Sequence, residues 1–308
     1  MKIHQGIETP LDINNPVVTI GTFDGVHIGH QQIINRLKEI ARINGGETVL
    51  ITLYPHPRMV LFPDDNDLQL LSTQDEKIDL LRKYGINHVV VIPFSKEFSR
   101  LTSLEFVRDI LINTIGTNTL VIGYDHHFGR NREGSIEQLR QLAPQFDFIV
   151  EEIPAQDVDH VHVSSTKIRE ALLHGDVVTA HAYLGHAYSL QGTVIQGNQL
   201  GRTIGYPTAN IDVADKHKLI PANGVYAVNV HANNHIYKGM MNIGIRPTIG
   251  GVARVIEVNI FNFEGDLYGS KIKVDFIARL RNEQKFDGLD ALKNQLANDK
   301  QKATELLG

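Results

Sequence analysis

Gly21-Thr22-Phe23-Asp24-Gly25-Val26-His27-Ile28-Gly29-His30 follows the apolar run Pro16 to Ile20 and precedes QQIINRLKEIARI, where Ile33, Leu37 and Ile40 recur at helical spacing. Apolar run, glycine turn and amphipathic segment read as strand, tight turn and helix. His27 and His30, with Gly29 between them, then sit at the mouth of that helix, where free N–H groups and the dipole favour an anion. Gly29 lets a ligand approach the backbone, and each imidazole can donate a hydrogen bond to charge building on a phosphate. The arrangement suits a triphosphate. An ordinary strand-to-helix turn with surface histidines would use the same residue types.

Working outward, strand-like runs recur at Val17 to Gly21, Thr48 to Leu53, His88 to Ile92, Leu120 to Gly123 and Phe146 to Glu151. Amphipathic segments lie between them. Thr73 with Glu76 and Thr102 with Glu105 make capping-box patterns, and Ser135 can cap SIEQLRQLA. Strands alternating with helices predict a doubly wound α/β domain built on a parallel sheet. In the common order 3-2-1-4-5 the ligand crevice lies at the carboxyl ends of the first and fourth strands. There Gly21–His30 meets Gly123-Tyr124-Asp125-His126-His127-Phe128-Gly129. Asp125 can accept from a ribose or base, help hold a metal, or simply cap its own turn.

Two further stretches belong to this half. Tyr54-Pro55-His56-Pro57-Arg58 is a stiffened loop ending in a cation. In Val163-Ser164-Ser165-Thr166-Lys167-Ile168-Arg169, hydroxyls open a helix beside two cations. N-capping accounts for part of that pattern, and a second phosphate clamp for the rest.

Helical patterning stops near Leu184-Gly185, and strand-like alternation follows in AYSLQGTVIQG, VYAVNVHA, HIYKGMMNIG, RVIEVNIFNF and KIKVDFIARL. Only Gly288 to Leu307 then reads as helical. An all-β barrel with a C-terminal helix is predicted, giving domains 1–184 and 185–308. Within Gly197 to Asn210, GNQLGRTIGYPTAN, the glycines permit a loop to wrap a phosphate, and Thr208 and Asn210 offer oxygens to Mg²⁺. No G-x-x-x-x-G-K-[ST] occurs, so a P-loop kinase is excluded. Glu257 alternates with apolar neighbours and reads either as a solvent-facing strand residue or as a base.

Composition narrows the class. With about 100 to 200 residues per domain, 308 residues predict two domains. A net charge of -5 with dispersed Lys and Arg argues against nucleic acid as a partner. Without an apolar run long enough to span a bilayer, a secretory leader or any cysteine, a cytoplasmic protein with no membrane partner is expected. A monomer or weak homo-oligomer is the expected state. The fifteen histidines, His126-His127 among them, invite a zinc reading, but no cysteine or H-E-x-x-H pattern supports it.

GTFDGVHIGH resembles the H-x-G-H signature of the nucleotidylyltransferase superfamily, in the version carried by prokaryotic bifunctional riboflavin kinase/FAD synthetases. VSSTKIR is similar to the (I/V)SSTxIR motif of those enzymes, GRTIGYPTAN to GRxxGxPTAN, and Asn242 to Thr248 to NIGxRPT. The resemblance implies ATP-dependent phosphorylation of riboflavin to FMN, then adenylylation of FMN to FAD, with Mg²⁺ as cofactor and ATP, riboflavin and FMN as partners. It implies that Gly21, Phe23, Asp24 and Gly29 shape an ATP site in which His27 and His30 act on the phosphates. Ser164, Ser165, Thr166 and Arg169 would hold phosphates there, with Asp125, Pro57 and Arg58 at the FMN and nucleotide. In the barrel, Gly197, Gly201 and Arg202 would hold ATP, Thr208 and Asn210 the metal, and Glu257 would serve as base. The chain departs from the family where His126-His127 replaces the commoner Phe-Arg, and where Asn259 and Asn262 replace His and Asp.

Overall fold

A computed structural model describes residues 1–64, 68–123, 129–130, 134–153, 163–197, 200–248 and 251–308. The chain divides into two compact units, Met1–Ser164 and Ser165–Gly308.

The first unit carries strands β1 (Lys2–Gln5), β2 (Val17–Ile20), β3 (Thr48–Tyr54), β4 (His88–Pro93), β5 (Thr119–Gly123) and β6 (Ile149–Ile153). They form one parallel sheet in the order β1-β4-β3-β2-β5-β6. The predicted order of the five core strands therefore holds, with β1 added at an edge. That strand escapes sequence reading because KIHQ is mostly exposed and carries no apolar run. Helices α1 (Ile28–Asn44), α2 (Pro57–Leu61), α3 (Gln74–Lys83), α4 (Ser103–Glu105), continued by a π-helical segment Phe106–Thr114, and α5 (Ile136–Phe146) link the strands.

Neighbouring strand residues alternate between two cores. Val18, Ile51, Val90 and Leu120 pack with Val107, Ile110 and Leu139, while Val17, Leu50, Val89 and Val121 pack with Ile34, Leu37 and Leu81. Both faces are thus covered, as a parallel sheet requires. Both predicted capping boxes form, and Ser135 accepts from Gln138 N. Phe146, predicted to open the last strand, instead ends α5. Asp147 adopts φ 54 and turns the chain, so pairing starts at Ile149.

In the second unit, α6 (Ser165–Leu173) and α7 (Val177–Leu184) lead into β7 (Ser189–Ile195), α8 (Leu200–Thr203), β8 (Ala209–Asp212), β9 (Gly224–Ala232), β10 (His235–Thr248), β11 (Gly251–Ile260), β12 (Lys271–Arg281) and α9 (Leu289–Leu307). The strands close a barrel in the order β10-β11-β8-β7-β12-β9. Closure removes every sheet edge. Gly185, at φ 72, ends α7 where the sequence pattern changes. The helices α6 and α7 belong to this unit: Ala222 N donates to Leu172 O, and Arg279 donates to His174 O and Asn223 O. Of the two short elements that the sequence pattern did not show, α8 falls inside the glycine stretch and β8 begins at its end. Four residues are too few to show a period.

Candidate active sites

β2 delivers the chain to Gly21 at the carboxyl edge of the sheet. A Cβ at Gly21 would lie 2.9 Å from the Phe23 ring, so glycine lets Phe23 fold back into the core, where it is 2 % exposed. Phe23 (φ 47), Gly25 (φ 76) and Val26 (φ 42) make a tight left-handed turn. His27 follows as the N-cap of α1, its Nδ1 accepting from His30 N at 3.4 Å. An accepting Nδ1 leaves the ring proton on Nε2. The His27 and His30 rings stack with centroids 3.7 Å apart, and the Phe23 ring lies tilted against His30 at 4.7 Å.

Burial in this stack governs the charge of His30. The His30 ring is held well below the usual histidine pKa by burial first, then by repulsion from His27 and Lys77. His30 is therefore neutral at pH 7. Its Nδ1 is buried without a hydrogen-bond partner in the chain.

Asp24, grouped with the phosphate contacts on sequence, faces inward. Its Oδ2 accepts from Leu71 N and its Oδ1 from Ser72 N, both at 3.0 Å, and Ser72 Oγ in turn accepts from Gly25 N at 3.0 Å. Asp24 ties the motif to the segment before α3. It clamps the loop from behind. Behind the turn, Lys77 Nζ donates to Thr22 O at 3.1 Å and Thr52 Oγ1 at 3.0 Å. Sequence reading passed over Lys77; the signal was its place one turn before Leu81 on the buried face of α3.

The loop after β3 lies on the same edge of the sheet. His56 caps α2 by accepting from Arg58 N at 3.2 Å, and Pro57 is the first helical residue. Neighbouring strands β3, β2 and β5 thus lead towards Pro57–Arg58, the H-x-G-H turn and Gly123. Asp125, His126 and His127 lie outside the described residues. Ser165 and Thr166 open α6, with Ser164 just before it and Arg169 one turn on.

In the barrel, Glu257 on β11 pairs across the sheet with Asn210 on β8 and Asn242 on β10. Ile256, Val258 and Ile211 point into the barrel, so these polar groups share the alternate face. Glu257 is only 12 % exposed at its side chain, and Arg246 Nη2 donates to its Oε2 at 2.8 Å. The GYPTAN turn is packed by absence of side chains. A Cβ at Gly197 would sit 2.1 Å from Asn210 Nδ2, and one at Gly201 would sit 2.2 Å from Tyr206 O and 3.5 Å from Thr208 Oγ1. Asn259, where relatives commonly carry His, donates to Pro207 O at 2.6 Å and holds that turn against β11. Asn242 and Arg246 lie in the stretch likened to NIGxRPT and Asn259 was noted as a departure, but none was given a role; their relation to Glu257 and the turn appears only when strands pair. Among the described residues no group of three or more His, Cys, Asp or Glu is arranged to hold a metal. Neutral oxygens at Thr208 and Asn210 suit a hard cation that takes its remaining ligands from phosphate and water.

A doubly wound domain with an H-x-G-H helix mouth, followed by a closed barrel with a carboxylate beside a glycine-cradled turn, defines a nucleotidylyltransferase-like unit joined to a kinase-type barrel. The FAD synthetase family model matches residues 10–167 and the riboflavin kinase family model residues 184–307. Bifunctional riboflavin kinase/FMN adenylyltransferases of Buchnera aphidicola subsp. Schizaphis graminum and Escherichia coli K12 are 38% and 36% identical, covering 97% and 95% of this chain and 96% and 93% of theirs. A crystal structure from Streptococcus pneumoniae, named a macrolide-efflux protein, superposes with TM-score 0.88 at 31% identity over 99% of both chains. The chain belongs to the bifunctional riboflavin kinase/FMN adenylyltransferase family. Among the described residues no helix is long and apolar enough to cross a membrane.

Proposed function

We propose that the family's two reactions occupy the two separate sites described above, one in each unit. The enzyme phosphorylates riboflavin to FMN and adenylylates FMN to FAD with release of pyrophosphate. The observation that carries the two-site reading is that the stacked His27–His30 pair and the Glu257–Asn210 pair lie in different compact units, each beside a backbone turn shaped for phosphate. The functional division runs at 184/185, close to the edge of the riboflavin kinase match.

In the barrel, Gly197, Gly201 and Arg202 cradle the ATP phosphates, and Thr208 and Asn210 hold Mg²⁺. The ion, when bound, neutralises charge on the transferring phosphoryl group. Glu257 accepts the proton of the ribityl 5′-hydroxyl as its oxygen attacks the γ-phosphorus and ADP leaves. Arg246 orients that carboxylate and must share it with the incoming hydroxyl.

In the first unit, a phosphate oxygen of FMN attacks the α-phosphorus of a second ATP and pyrophosphate leaves. Neutral His27 and His30 donate to the charge developing on the phosphates at the positive end of α1, and Gly21 and Gly29 let the chain approach. Pro57, Arg58 and Asp125 serve the FMN and nucleotide, while the phosphate role of Ser164, Ser165, Thr166 and Arg169 rests on the resemblance of VSSTKIR alone, since Ser165 begins the second unit. No covalent enzyme intermediate is required. A cytoplasmic location, a monomeric or weakly associating state and the absence of a nucleic-acid partner complete the proposal, resting on the lack of cysteine and the net charge of -5.

The test separates riboflavin, FMN and FAD chromatographically over time after mixing enzyme, riboflavin, ATP and Mg²⁺. FMN rising first and FAD following supports the reading. FAD formation in the His27→Ala variant at the normal rate refutes the first-unit assignment.

A further inference from the structure

Lys77 is a buried cation that neither reaction, as written, uses. It is 7 % exposed, and both its hydrogen-bond partners, Thr22 O and Thr52 Oγ1, are uncharged. Among the described residues no carboxylate forms an ion pair with it; the Asp24 carboxylate is near enough to be felt, but its oxygens are engaged by Leu71 and Ser72. A buried cation with no ion-paired carboxylate, facing only an Asp24 already held by two backbone N–H groups, keeps much of its field for its other neighbours. Thr22 is the residue between Gly21 and Phe23, so the field and the tether both arrive at the turn that leads into His27 and His30. A methyl or aliphatic group there would pack at lower cost, because an unpaired buried ammonium is disfavoured.

We infer that Lys77 is a positioning residue of the adenylyl-transfer site: its ammonium fixes the Thr22 carbonyl against β3 and stands as a fixed positive charge behind the His27–His30 pair. The inference rests on the reading of that pair as the triphosphate-binding group. Two consequences follow. With Lys77 charged, and with burial and the nearby His27 acting the same way, His30 meets the nucleotide as a neutral donor. The incoming phosphate charge is then met by a cation already in place, with no side chain to reorganise. The groups bearing on His30 are His27 on its own helix, Lys77 from α3, and Asp24 acting through Lys77. Burial pushes the Lys77 ammonium down to about 8, so its charge is present at neutral pH and titrates in a measurable range.

The experiment uses the full chain, with His30 ring resonances assigned by the His30→Asn variant, and follows both half-reactions in Lys77→Met and Lys77→Arg. In the unaltered enzyme the His30 ring is expected to titrate well below the ordinary histidine range. In Lys77→Met its midpoint should rise and kcat/KM of FMN adenylylation should fall at least about tenfold, with riboflavin phosphorylation within about twofold of normal. Lys77→Arg should keep His30 depressed and move the alkaline limb of kcat/KM, expected near 8, above about 10, since guanidinium stays charged. An ordinary His30 midpoint in the unaltered enzyme overturns the inference, whether or not the variants fold. So does a normal adenylylation rate in Lys77→Met, or an equal loss in both variants with the His30 midpoint unmoved, which would leave Lys77 a packing role. Normal FAD formation in His27→Ala would instead sink the site reading on which the inference rests.

Discussion

Replacing Asp24 by Ala tests whether the H-x-G-H turn is built from behind. The carboxylate is 4 % exposed and accepts from Leu71 N and Ser72 N at 3.0 Å, with Ser72 Oγ at 3.4 Å. Hydrogen bonds to a charged group are worth about 1.5–3 kcal/mol each, and both donors are backbone N–H groups that the variant leaves buried. The two short bonds together give roughly 4 kcal/mol. Loss of the nearby anion also drives the Lys77 ammonium further down, since Asp24 is what raises it. Against a domain stability of about 5–15 kcal/mol this is a large share. With a urea slope of about 2 kcal/mol/M, the first unit's midpoint should fall by about 2 M. Urea unfolding read by circular dichroism measures it, and riboflavin phosphorylation reports that the barrel is intact. Asp24→Asn, which keeps one acceptor, should lose about half as much. An unchanged midpoint combined with a raised KM for ATP in the adenylylation reaction would refute the clamp and return Asp24 to the nucleotide.

Three further outcomes are expected. His27→Ala should lower FAD formation from supplied FMN by about 10²-fold while riboflavin phosphorylation survives, and Glu257→Gln should do the converse by a similar factor; loss of both activities in either folded variant would contradict separate sites. Asp299, 1 % exposed on α9, accepts from Arg281 Nε and Nη2 and from Gln295, so Asp299→Ala should cost the second unit about 3–5 kcal/mol in chemical unfolding and leave the first unit's transition in place. Lys77 titrates near 8 when folded against an ordinary 10.5, so the unfolded chain holds the extra proton between those values and stability rises with pH there. The penalty, about 3 kcal/mol, is full below 8 and gone above 10.5. The difference in unfolding free energy between the unaltered chain and Lys77→Met, measured from pH 7 to 10.5, should slope accordingly; a flat difference would show that Lys77 is not held in the interior as a charge.

Much of this architecture is written in short-range pattern. Val17, Val18 and Ile20 sit in a continuous apolar run because a strand covered on both faces cannot alternate. Thr73 with Glu76 and Thr102 with Glu105 announce helix starts through bonds three residues long. The H-x-G-H spacing itself places His27 and His30 at the mouth of α1, and Gly185 marks the end of helical patterning. All of these depend on neighbours within one turn or one strand, and the sequence by itself determined them. Tertiary structure decided what depends on partners far along the chain. KIHQ became a strand only because β4 offered a free edge, and Ala209–Asp212 only because β7 and β11 flank it. The inward turn of Asp24 needs Leu71 and Ser72, 47 and 48 residues away. Arg246 meets Glu257 through strand register, and Lys77 on α3 reaches across to Thr22 in the turn and Thr52 on β3. A carboxylate or an ammonium looks the same in sequence whether it faces water or the core. Its charge acquires meaning from the groups that burial and folding bring within a few ångströms of it.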